Sequence, residues 1–71
     1  MTFKINDVVV LRVDIPEEAL RKGSKGVVVE EFSEPTKAYE IEFCNDLGET
    51  LAQVALLPSQ IELALADEKQ S

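Results

Sequence analysis

Alternation of apolar and polar side chains is clearest over Ala38-Tyr39-Glu40-Ile41-Glu42-Phe43. A period of two puts Tyr39, Ile41 and Phe43 on one face of a β-strand and turns Glu40 and Glu42 to water. Asp7–Val13 is rich in β-branched residues and predicts a first strand. Arg12 shares a face with Val8 and Val10, so Val9, Leu11 and Val13 are expected to point inward. Val8 and Val10 are then either an exposed apolar pair or part of a strand covered on both faces, and the second is the expectation. Gly26–Phe32 predicts a second strand. Its apolar run followed by Glu30 and Glu31 spoils strict alternation and suggests a bulge.

The connections carry their own signals. Pro16-Glu17-Glu18-Ala19-Leu20-Arg21-Lys22-Gly23 predicts one or two helical turns. Proline suits the first position, acids come early and bases late, and Gly23 serves as a left-handed stop. Leu20 anchors that segment in the core. Ser33–Lys37 reads as a turn, and Asn45-Asp46-Leu47-Gly48-Glu49 as a hairpin with Gly48 at positive φ. Thr50–Leu56 is a fourth strand and Pro58-Ser59-Gln60 a short 3₁₀ corner. Ile61–Leu65 is a last strand with Ile61, Leu63 and Leu65 on one face. Five short strands, tight turns and a short helical turn in the first loop predict an all-β fold, a small SH3-like five-stranded barrel over residues 1–65. Closure would also remove exposed strand edges. Residues 66–71 are polar and are expected to fray.

Composition narrows the chemistry. The 71 residues carry 14 acidic against 7 basic groups, for a net charge of −7, with one cysteine and no histidine. A disulfide core, a Cys/His zinc site, a Ser-His-Asp or Cys-His pair and a histidine pH switch are therefore absent from this chain. Residues 1–37 hold six basic and seven acidic groups, and residues 38–71 one and seven. Such a chain repels phosphate backbones and suits a basic protein partner. The single Cys44, the lack of a long apolar start and the lack of an apolar stretch of ~20 residues make a cytoplasmic setting the expectation. One core of this size rarely supplies more than ~3–5 kcal/mol, so self-association is a reasonable source of further burial.

A family resemblance lies in the order of the motifs. These are Asp7-x-Val9-x-Leu11, Asp14-x-Pro16-Glu17, Leu20-x-x-Gly23-x-x-Gly26-x-Val28-Val29-Glu30, Ala38–Phe43, Gly48-x-Thr50 and Gln60-Ile61. Over residues 3–63 the chain resembles the bacterial proteins grouped as domain of unknown function 4926, which are similar in size and look SH3-like. The resemblance implies no activity. It implies a partner, because several such proteins look like accessory or paired-gene products. More loosely, Gly23-Ser24-Lys25-Gly26-Val27-Val28 is similar to a turn in ferredoxin-docking subunits, the nitrile hydratase β chain and KOW modules, an analogy of fold only.

Each group with potential chemistry has a plain counterpart. Glu30, Glu31, Glu40 and Glu42 suit general acid/base work or a hard cation, but alternating glutamates on an outward strand face are an ordinary solvated surface. Asn45-Asp46-x-Gly48-Glu49 lacks the length and ligand spacing of a calcium loop and reads as a turn. Gly23-x-x-Gly26 lacks the helix and Lys-Ser/Thr pair of a phosphate loop, so backbone freedom is its expected use. Arg21, Lys22 and Lys25 are the one concentrated basic cluster, suited to an acidic protein or, less readily, RNA, but a solvated loop whose charges match the helix dipole is the plain reading and the expectation. Cys44 is expected to be a half-buried small hydrophobe.

The expectation that follows is a non-catalytic intracellular protein-interaction module with no cofactor or metal, an accessory or antitoxin-like subunit. Its candidate partner-binding residues are Arg21, Lys22, Lys25, Glu30, Glu40 and Glu42. The alternative is a structural homo-oligomer assembled through Val8 and Val10 or an edge strand. A KOW-like nucleic-acid module ranks behind both, and no membrane association is expected.

Overall fold

β-branched and aromatic residues form the strands, and glycine, proline and asparagine punctuate them. The computed structural model describes residues 2–64. Strands β1 (Val8–Leu11), β2 (Lys25–Phe32), β3 (Ala38–Cys44), β4 (Thr50–Leu56) and β5 (Ile61–Leu63) form one antiparallel sheet in the order β4-β3-β2-β1-β5. Two 3₁₀ turns, Pro16–Glu18 and Pro58–Gln60, interrupt the β1–β2 and β4–β5 connections. The sheet is all-β and antiparallel as expected, but its hydrogen-bonded ladder does not close. β4 and β5 are its two edges.

Alternation sorts the faces. Tyr39, Ile41 and Phe43 of β3 are buried, while Glu40 and Glu42 between them are half-buried on the opposite face. Their buried neighbours are Val9 and Leu11 of β1, Val28 of β2, Leu56 of β4, Ile61 of β5, and Ile15 and Leu20 of the first loop. The expected bulge lies in β2. Val28 stands opposite Ile41 and Glu30 opposite Glu40, so Val29 is the extra residue. That insertion lets Val28 face the core while Glu30 still faces water.

Two packing features were not anticipated. Phe3 is buried, its ring edge-on to Tyr39 with centroids 5.3 Å apart. Its backbone N–H donates to the Tyr39 hydroxyl oxygen at 3.2 Å. Gly26 does more than admit the chain to β2. A Cβ there would lie 2.6 Å from Ile41 Cγ2 and 2.9 Å from two ring atoms of Phe43.

The first loop departs from its expected course. Its helical turn stops at Glu18, and Ala19 at φ 58° takes the left-handed position assigned to Gly23. The cause is a tie across the turn. Ile15 N–H donates to the Leu20 carbonyl at 2.8 Å and Leu20 N–H returns to Ile15 at 3.1 Å. Burial of both side chains leaves room for a single turn. Gly23 does adopt φ 93°, but in the following turn, where Ser24 N–H donates to the Arg21 carbonyl. β1 ends at Leu11, so Val13 lies outside the strand and is 39% exposed rather than inward. Leu63 is likewise 46% exposed, at the end of a three-residue strand. Leu65 and the expected tail at 66–71 lie outside the described residues.

Candidate interaction face

The outward face of the sheet gathers most of the singled-out residues, because strand parity places them there. Cross-strand pairing sets three rows. Val8, Val27, Glu42 and Gln53 follow one another from β1 to β4. Beside them run Glu62, Val10 and Lys25, and elsewhere Glu30, Glu40 and Ala55. Val8 is 44% exposed and Val10 and Val27 are half-buried. The expectation that β1 is covered on both faces is therefore overturned. The sheet is a single layer here, and no described element lies over its outer side. Val8, Val27, Lys25, Glu42 and Cys44 share one shallow depression around Gly26.

Carboxylates frame this apolar strip. Glu30 and Glu40 stand directly opposite each other, a like-charge pairing that a sheet tolerates only where water screens it. Glu42 accepts a short hydrogen bond from Thr50 Oγ1. Glu62 lies 3.9 Å from the Arg12 guanidinium. Glu31, on the other side of the strand from Glu30, is 4.0 Å from Lys37 Nζ. Among the described residues no three acidic or cysteine side chains converge to hold a metal ion.

The basic cluster is divided. Arg21 and Lys22 sit in the first loop and line an open depression with Asp14, Pro16, Ala19 and Leu20. Asp14 accepts from the Lys22 backbone N–H at 2.8 Å, which puts a carboxylate in the middle of that basic loop. Lys25 is instead on β2, opposite Val10, and belongs to the outer face. Lys22 also lines a depression with Val10, Arg12 and Glu62, so it reaches the rim of the outer face, and Arg21 is the member of the sequence cluster that stays with the first loop.

The remaining candidates resolve into structure. Asn45 builds the β3–β4 hairpin: its Oδ1 accepts from Leu47 N–H at 2.9 Å and Glu49 N–H at 3.0 Å, and its amide donates to Glu49 Oε1 at 2.8 Å. Gly48 takes φ 81° there, as the turn requires. Cys44 is exposed, not half-buried, because inward Phe43 turns its neighbour outward at a strand end. Two members of the face escaped sequence reasoning. Val27 could not be told from Val28 and Val29 without knowing where the bulge falls, and Glu62 gains its place only through pairing with Val10.

No helix among the described residues is long and apolar enough to cross a membrane. No curated protein matches the chain. No solved structure matches it either. A family model described as Domain of unknown function (DUF4926) matches residues 5–63, which takes in all five strands and both 3₁₀ turns. On that match the chain belongs to the DUF4926 family.

Proposed function

We propose that this chain is a non-catalytic, intracellular protein-interaction module, an accessory or antitoxin-like subunit built as an SH3-like barrel. The strand order supports the fold reading: a long first loop, a β2-β3-β4 meander and a 3₁₀ turn before β5 pairs back with β1. One observation carries the functional reading. Val8, Val10 and Val27 form an uncovered apolar strip bordered by Glu30, Glu40, Glu42 and Glu62. Such a surface fits a partner that brings apolar side chains flanked by lysine or arginine, through desolvation at the centre and charge pairing at the rim. Lys22 borders this surface beside Val10 and Glu62, and Arg21 is a secondary contact in the first loop. A net charge of −7 makes the encounter salt-dependent.

The test is co-expression with the product of the neighbouring reading frame, purified through a tag on this chain at low salt. Co-elution that Val8→Lys abolishes and Glu42→Lys weakens supports the reading. No co-elution, or co-elution indifferent to both changes, counts against it. A second reading, a structural homo-oligomer joined through Val8 and Val10, draws on the same exposed strip. An oligomer that survives Val8→Lys excludes that surface.

A further inference from the structure

Among the described residues β4 is an edge of the sheet, with β3 as its strand partner. The direction of its remaining backbone groups follows from alternation. Val28 N–H donates to the Asp7 carbonyl, and the Val28 carbonyl accepts from Asn6 N–H. Val28 and Gly26 thus bond toward β1, and Val27 toward β3. Val27 stands opposite Glu42, so Glu42 bonds toward β2 while Ile41 and Phe43 bond toward β4. Their partners Val54 and Ala52 therefore turn their backbone groups to β3. Gln53 and Ala55 turn their N–H and C=O to the open edge.

Apart from the register shift at Leu51, this edge lacks the usual protection. Thr50-Leu51-Ala52-Gln53-Val54-Ala55-Leu56 holds no charge and no proline, in a chain with 30% charged residues. Edge strands are ordinarily blunted by lysine, proline or shortness. The opposite edge follows that rule: β5 has three residues, one of them Glu62, and follows directly on the Pro58–Gln60 turn.

We propose that β4 pairs antiparallel with β4 of a second copy of this chain, about a two-fold axis at Val54. In that register Gln53 and Ala55 of one copy exchange backbone hydrogen bonds with Ala55 and Gln53 of the other. Val54 faces its own counterpart on the inner side. Leu51 and Leu57 each lie three residues from Val54, so the two-fold axis brings each to the same end of the seam as the other, just beyond the ladder. These are two of the large exposed apolar side chains, 61% and 45% accessible. The ladder stops where the structure says it must. Leu57 N–H is already bonded to Gln60 Oε1 and its carbonyl to Gln60 N–H, and at the other end a register shift falls beyond Ala52. A second copy is the occupant that fits, because the residues on either side of Val54 complement themselves under a two-fold axis. The seam also brings no carboxylate opposite another, which matters for two chains each at −7. The proposal is independent of the partner reading, since it uses a different edge from the Val8 face.

Sedimentation equilibrium of the full chain tests it, with two variants. The wild type is expected at twice the 7.9 kDa chain mass. Ala55→Pro, which removes an edge N–H, is expected to return it to the single-chain mass with its β-sheet circular dichroism retained. If that variant loses the fold, Leu51→Asp with Leu57→Asp replaces it, bringing carboxylates to the same end of the seam without touching the core. Val54→Cys in a Cys44→Ser background is expected to form a disulfide-linked dimer on mild oxidation. A wild type that stays at 7.9 kDa, a dimer unmoved by the seam variants, or a failed Val54→Cys cross-link overturns the proposal.

Discussion

Gly26→Ala puts a methyl group where the sheet has no space for one. The added carbon would lie 2.6 Å from Ile41 Cγ2 and 2.9 Å from Cδ1 and Cε1 of Phe43. Carbon atoms pack best at ~3.5–4.0 Å, so the overlap is at least ~0.6 Å against the Phe43 ring and approaches an ångström against Ile41. Relief by backbone movement is blocked, because Gly26 pairs with Val9 on one side and its neighbour Val27 pairs with Glu42 on the other. The two side chains it meets are buried and held in the centre of β3. Overpacking of this kind costs ~1–3 kcal/mol. A domain of this size rarely holds more than ~3–5 kcal/mol in total, so a loss of ~2 kcal/mol removes about half of it. Urea unfolding is the assay. With a slope of ~1 kcal/mol/M for a small chain, the midpoint falls by ~2 M. Gly23→Asn is the control: that site needs φ 93° but has nothing within 4 Å of a Cβ, and asparagine tolerates the left-handed region. A Gly26→Ala midpoint no lower than that of Gly23→Asn would refute the packing argument.

Tyr39→Phe keeps the ring against Phe3 but deprives the buried Phe3 N–H of its acceptor, at a cost of ~1–3 kcal/mol; faster hydrogen exchange at that amide, with a lower urea midpoint, is the expected record. Asn45→Ala removes an acceptor shared by two backbone N–H groups and is expected to lower thermal stability by about 1 kcal/mol, or ~4–8 °C in a melt. Val8→Lys is expected to change stability by less than ~0.5 kcal/mol, because the side chain faces outward and is already accessible, while partner capture is lost.

Local alternation made the strands legible. Tyr39, Ile41 and Phe43 announce an inward face because a period of two has one structural meaning, and the Asn45–Gly48 turn is written in residues that a tight hairpin needs. What the chain does over longer distances was not legible. Phe3 stands alone before the first strand, without a periodic neighbour, and only its fit against Tyr39 makes it core. Arg21, Lys22 and Lys25 are close in sequence, yet only Lys25, on β2, and Lys22, beside Val10, reach the outer face, while Arg21 stays in the first loop. The outer face itself depends on the bulge at Val29. A run of three valines does not reveal which one faces water until β3 fixes the register.

The most direct test of the account is chemical-shift mapping of the isotopically labelled chain as its co-purified partner is titrated in. The account predicts changes concentrated at Val8, Val10, Val27 and the bordering Glu40, Glu42 and Glu62. Changes confined to Arg21 and the first loop from Asp14 to Leu20, with the sheet face silent, would contradict it.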